Sequence, residues 1–206
     1  MDVKLFPTKG NLILAKNTLA LCRQGYELLD KKRNILIREM MSLVDKAREI
    51  RDEMQKTFQK AYRALQLANV TLGISVVEQI GYAVPEDNRT EIREQSIMGV
   101  EIPTVKLGEA DLQPRYGFRM TNSTLDTARQ EFSKAKYLAA ELAEVENAVY
   151  RLAANIRRTQ KRTNALKNIM IPGYEEAVKN IVNVLEEKDR EEFSRLKVIK
   201  RVKYGG

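Results

Sequence analysis

Residues 11–72 read NLILAKNTLALCRQGYELLDKKRNILIREMMSLVDKAREIRDEMQKTFQKAYRALQLANVTL. The stretch holds no proline, and no glycine after Gly25, so nothing in it obliges a helix to stop. At 1.5 Å per residue such a helix is roughly 90 Å long and needs a partner along its whole course. A heptad frame supplies the seam. Its a positions are Leu12, Leu19, Tyr26, Arg33, Met40, Ala47, Met54, Ala61 and Ala68, and its d positions are Ala15, Cys22, Leu29, Leu36, Leu43, Ile50, Thr57, Ala64 and Thr71. Fifteen of these eighteen are apolar, where the chain-wide 43% would give about eight, so the repeat predicts a left-handed coiled coil in preference to an ordinary amphipathic helix against a globular core. The small residues from 57 to 71 suggest closer helix approach at that end. Arg33, a cation at an a position, either reaches sideways to solvent or pairs across the seam and sets the register.

Working outward, the punctuation changes after residue 72. Gly73, Gly81, Gly99, Gly108 and Gly117 fall in one span with Pro85, Pro103 and Pro114, which no long helix survives. The Val- and Ile-rich runs Ile74 to Val84 and Ile97 to Leu107 are expected to pair as a small antiparallel hairpin, with the polar segment PEDNRTEIREQS between them. An ordered loop without strands is the alternative. Pro103 argues that the second run is an edge strand or only partly paired.

A second helical arm is expected from Ser123, which with Asp126 has the form of a capping box. It runs without Gly or Pro to Ile171, carrying the block RRTQKRTNALKNIMIP at 157–172. Ile156, Leu166, Ile169 and Met170 can share one side of that helix, leaving Arg157, Arg158, Lys161, Arg162 and Lys167 around the remainder. Pro172-Gly173 is expected to break the helix, which resumes to about residue 203. Setting Thr71 beside Ser123 pairs the arms antiparallel, lays 157–170 beside 24–37, where Gly25 would admit close backbone approach, and leaves a C-terminal tip overshooting the first arm.

The fold class expected is therefore mainly α: a long antiparallel left-handed two-helix coiled coil with a small hairpin-like middle segment. The divisions are 1–72 (N-terminal coiled-coil arm), 73–120 (middle segment) and 121–206 (C-terminal arm with the break at Pro172-Gly173 and the protruding tip). The seam is represented by Leu29, Leu36, Leu43, Ile50, Val149, Ile156, Leu166 and Met170.

Composition narrows the function. Charged residues make up 31% of the chain and aromatics 6%, with no Trp, the profile of long helices with a seam. The absence of His removes the usual general base and the commonest metal ligand, and one cysteine builds neither a disulfide nor a zinc site. No Gly is followed by Lys, so there is no Walker-type phosphate loop. We expect no catalysis, no cofactor and no metal. Cys22, on the seam, reads as a small buried hydrophobe in a reducing compartment, and no apolar run is long enough to cross a bilayer. A net charge of +8 points to an acidic or phosphate-rich partner, so a basic helical hairpin that binds nucleic acid, or a scaffold, is the alternative function; interleaved acids and sparse aromatics argue against nucleic acid.

Several blocks carry a family resemblance: FPTKGNLILAK (Phe6 to Lys16), QGYELLDKKRNIL (Gln24 to Leu36), KRTNALKNIMIP (Lys161 to Pro172), EEKDREEFSRLKVIK (Glu186 to Lys200) and, more weakly, IMGVEIP (Ile97 to Pro103). Together they resemble the D subunits of rotary V-type and A-type ATPases and ATP synthases. Lys167 departs from the acidic residue expected there, and the short ending YGG favours a prokaryotic form. The resemblance implies a rotor axle that transmits torque between a hexamer of catalytic A and B subunits and a membrane rotor ring. It implies binding to the F subunit and to the funnel subunit (C/d type) above the ring, in a cytoplasmic, peripheral position without direct membrane insertion. The residues expected to contact the hexamer are Arg157, Arg158, Lys161, Arg162, Lys197 and Lys200.

Overall fold

The computed structural model describes residues 6–84, 90–108, 116, 117 and 121–205. Helix α1 runs unbroken over Lys9–Leu72. Thr8 starts it, its Oγ1 accepting the Asn11 amide at 3.2 Å and its carbonyl the Leu12 amide at 3.0 Å. At Gly73 the chain adopts φ 88, a conformation that suits glycine, and a short helix α2, Ile74–Tyr82, follows. Strands β1, Thr90–Ile97, and β2, Val100–Leu107, pair antiparallel from Thr90↔Leu107 to Ile97↔Val100. Helix α3, Ser123–Ala165, leads through a five-residue π turn, Leu166–Met170, into helix α4, Ile171–Tyr204. The residues group into two compact units, Met1–Ile35 with Ile156–Gly206, and Leu36–Asn155.

In the unit Leu36–Asn155, the second half of α1 packs antiparallel against α3. Asn122 Nδ2 donates to Thr71 Oγ1 at 2.7 Å, Tyr62 meets Phe132 edge-on at 5.4 Å, and Lys46 pairs with Glu141 at 2.7 Å. Ile50, Leu142 and Val145 form the buried centre, with Leu43, Ala47, Met54, Leu138 and Val149 half-buried around them. Nearer the connection the buried residues are small: Ala61, Ala68, Ala128 and Ala135. Burying such seam side chains, at about 25 cal/mol per Å² of apolar surface, is what holds a helix of this length in place.

The hairpin lies against α3 through β2. Val100 and Ile102 are buried, whereas β1 is exposed along its length apart from Ile97. Three α3 side chains fasten it: Glu144 accepts the Val105 amide at 2.6 Å, Tyr137 donates to the Gly108 carbonyl at 2.7 Å, and Arg151 to the Glu101 carbonyl at 3.1 Å. Since the Val105 amide faces away from β1, that of residue 103, two places earlier, would also do so. Pro103 therefore costs the ladder no bond.

In the unit Met1–Ile35 with Ile156–Gly206, the first half of α1 lies antiparallel to the end of α3, the π turn and α4. Arg33 reaches Gln160 at 2.9 Å, Lys167 Nζ lies 6.0 Å from the centre of the Tyr26 ring, and Arg23 pairs with Glu175 at 2.6 Å. Ala15, Cys22, Thr159, Thr163, Ala177 and Ile181 are buried. From Glu186 to Gly205 every residue is exposed.

The structure corrects four expectations about the helices and strands. Residues 74–82 form a helix, not the first strand: the half-buried Val76, Val77 and Ile80 recur at helical spacing. The first strand lies instead in the polar segment expected to be a connector; the 85–89 part of that segment lies outside the described residues. Asn122, not Ser123, caps α3, its Oδ1 accepting the Leu125 amide at 3.2 Å. Finally, Pro172-Gly173 does not break the helix. The π turn just before it, in which the Ile171 amide reaches back to the Leu166 carbonyl, widens the helix where a proline ring would otherwise strike the carbonyl four residues back.

Candidate partner-binding surface

The candidate contact residues all lie on the return helices of one unit. Arg157, Arg158, Lys161 and Arg162 occupy α3, with Arg157 and Lys161 one turn apart and Arg158 and Arg162 one turn apart, so the four make two adjacent columns. All four are exposed, and none has an ion-pair partner among the described residues. From residue 147 to residue 174 the chain contains no Asp or Glu, while it carries Arg151, Arg157, Arg158, Lys161, Arg162 and Lys167. Their charge is thus not neutralised from their own helix. Lys197 and Lys200 stand on the exposed final stretch of α4, apart in sequence from the four on α3.

What fixes these cations in place is the seam beneath them. Thr159 and Thr163 are buried, and Thr163 Oγ1 donates to the Thr159 carbonyl at 2.9 Å, which satisfies a hydroxyl that would otherwise be stranded in the seam. Ile156, Leu166 and Met170 are half-buried in the same unit, as is Leu29. Leu36 and Ile50 are buried, and Leu43 and Val149 half-buried, in the other unit. Arg33 pairs on both sides: it crosses to Gln160 and also binds Asp30 one turn back at 2.7 Å. Gln160 in turn donates to Asn164 at 2.8 Å, so the polar side chains around the Arg33 seam position are mutually satisfied. Gly25 does not bring backbones into close approach, because a Cβ built on it would meet Leu166 Cδ1 at an ordinary 3.8 Å.

Chemically, such a surface can attract carboxylates or phosphates. Exposed pairs of this kind are each worth at most about 1 kcal/mol, so contacts made through them break and remake readily. Among the described residues no group of side chains is arranged to hold a metal ion, and no helix is long and apolar enough to cross a membrane. The sequence carries no sign of the Glu144, Tyr137 and Arg151 contacts to the hairpin. They lie on α3 at residues whose partners are backbone atoms, and backbone atoms leave no trace in side-chain patterns.

Known proteins are similar to this sequence over nearly its whole length. Residues 11–201 match the family of ATP synthase D subunits. The D subunit of the V-type ATP synthase of Thermotoga neapolitana is 44% identical over 194 residues, covering 94% of this chain and 96% of that protein. The D subunit of the A-type ATP synthase of Pyrococcus furiosus is 36% identical over 201 residues, covering 96% and 94% respectively. Its counterpart in the A-type ATP synthase of Methanosphaera stadtmanae is 35% identical over 198 residues, covering 95% and 92%.

Proposed function

The chain belongs to the family of ATP synthase D subunits, and from that membership we propose that it is the central-stalk axle of a prokaryotic rotary V/A-type ATPase, carrying torque between the catalytic A/B hexamer and the membrane rotor ring. In this reading it is a non-catalytic, cytoplasmic component held at the membrane through its neighbours. The unit containing both termini enters the hexamer, the F subunit binds the side of the shaft, and the funnel subunit receives its other end.

The observation that supports the reading best is the unneutralised basic face on α3. Four exposed cations without ion-pair partners among the described residues sit on a helix whose opposite side is locked into a seam. Torque requires both halves of that arrangement. A rigid underlay keeps the surface from yielding, and wet ion pairs of about 1 kcal/mol or less let each contact dissolve as the next forms. The surface is also one-sided, so that chemically identical catalytic interfaces around it meet different faces.

The test is to neutralise Arg157, Arg158 and Arg162 together as glutamines in the reconstituted complex. The isolated triple variant should keep its helical circular dichroism, because glutamine and arginine have similar helix propensity. ATP turnover should slow or lose its coupling to ion movement. Normal coupled turnover would refute the role given to these residues.

A further inference from the structure

Two helices that share a seam must repeat in step, and here the return strand of the pair carries one residue too many. On α1 the step is strict: Ala15, Cys22 and Leu29 fall seven apart and are buried or half-buried, as do Leu12, Leu19 and Tyr26, on a helix without a break. On the return helices the same spacing leads from Thr159 and Thr163 to Leu166 and Met170, and continued further it would put Gly173 and Asn180 on the seam. Asn180 is exposed. Its successor Ile181 is 3% exposed, and Tyr174 and Val178 are half-buried with it, while buried Ala177 fits either spacing. From Leu166 to Tyr174 the seam therefore advances by eight residues, not seven. The π turn Leu166–Met170 opens that interval, and a π turn holds one residue more than an α turn.

Counting back from α4 shows what an unbroken α-helix would do. From Ile181 and Tyr174, steps of seven reach Lys167 and Gln160; from Val178 they reach Asn164 and Arg157. The seam would then receive two cations and two amides in place of Thr159, Thr163 and Leu166, at the cost of burying charge. One residue is about 100° of helix rotation, and α1 offers no compensating irregularity. In the structure Lys167 stays outside, with its Nζ 6.0 Å from the centre of the Tyr26 ring, and Arg157 is exposed.

We propose that the π turn is a phase corrector: it takes up the one residue by which the return helix outruns the sevens of α1, and so admits Tyr174 and Ile181 to the seam while holding Arg157 and Lys167 outside it. Pro172 fixes where the widened turn stands, and the spacing of the seam residues is why one is needed. The inference rests on the axle reading only for what the outward cations touch; the phase itself is a property of this chain alone.

The experiment uses the full chain without partners. Single cysteines at positions 180 and 181 report the phase: Asn180→Cys should react with a maleimide about tenfold or more faster than Ile181→Cys, because only the exposed site reacts without local opening. Pro172→Ala should keep that contrast, since the seam still requires the extra residue. Deletion of Asn168 combined with Pro172→Ala removes both the extra residue and the ring that clashes in an α turn, and should keep the contrast with a urea midpoint at or above that of the parent. Deletion of Asn168 alone should lower the midpoint, because Pro172 then meets the carbonyl four residues back. Deletion of exposed Glu27 from α1, where no π turn can adjust, should lower it too. A contrast that inverts in Pro172→Ala, or a double variant as unstable as the Glu27 deletion, overturns the proposal. Either result leaves the axle reading standing, because that reading is tested by turnover of the arginine variant in the assembled complex.

Discussion

Ile50 is the place to test whether the seam carries the fold. It is 6% exposed and packs with buried Leu142 and Val145 inside a ring of half-buried neighbours. Ile50→Val removes one carbon and should cost about 1 kcal/mol; Ile50→Ala removes three and enters the range of about 2–5 kcal/mol. The lower part of that range is expected, near 2–3 kcal/mol. The seam is only two helices deep, and Leu43, Met54 and Leu138 are free enough to lean into the space left. Against a total of about 5–15 kcal/mol this is a large loss. With a urea slope of about 1–3 kcal/mol/M, the midpoint should fall by roughly 0.7–3 M at unchanged slope. Leu67→Ala, at a position 57% exposed, provides the control and should stay within about 0.5 kcal/mol. Urea titration followed by circular dichroism reads all three. An Ile50→Ala midpoint indistinguishable from that of Leu67→Ala would refute the seam as the source of stability.

Glu144→Ala should free the hairpin, since the half-buried Val105 amide loses its acceptor at a cost of about 1–3 kcal/mol; hydrogen exchange over residues 90–107 should quicken, and no change there would contradict the fastening role. Asn122→Ala removes both the α3 cap and the bond to Thr71, and should lower stability by about 0.5–2 kcal/mol in denaturant titration, with a loss below that range counting against the cap. Lys46 has its pKa raised above 10.5, first by the hydrogen bond to Glu141, then against opposing burial by the charges of Glu141 and Glu144. A raised lysine holds its proton more tightly when folded, so its contribution is complete below pH 10.5 and disappears as pH climbs through the raised value. Tyr116, raised first by burial and then by its bond to Asp126, acts in the same direction. The stability difference between the parent and Lys46→Met should therefore shrink above pH 10.5, and a difference that grew there would reverse the sign argued for the pair.

Much of the fold was legible because helix pairing writes itself into side chains every seven residues. Leu36, Ile50, Ala61 and Ala68 stand on the heptad frame and are buried. The middle segment was harder, for three separable reasons. Strand β1 has no buried face to impose alternation, so TEIREQSI looks like a loop. Its two-residue turn is Met98-Gly99, with φ 51 and 74, the positive angles typical of hairpin turns, but Met in place of the usual Asn or Asp hides the signal. In α2, β-branched residues at helical spacing imitate a strand. The π turn was invisible for another reason: its cause is the later Pro172, and propensity reads each residue in its own place. As for the basic residues, their exposure follows from periodicity, but exposure is shared by every charged side chain on a helix and singles out no partner.

Direct observation of turning decides the central claim. With the hexamer fixed to a surface and a bead attached to the chain near residue 84, added ATP should drive the bead in one sustained direction, and the bead should stop when ATP is exhausted. Steady ATP hydrolysis beneath a bead that only fluctuates, with the chain shown to be bound, would contradict the account.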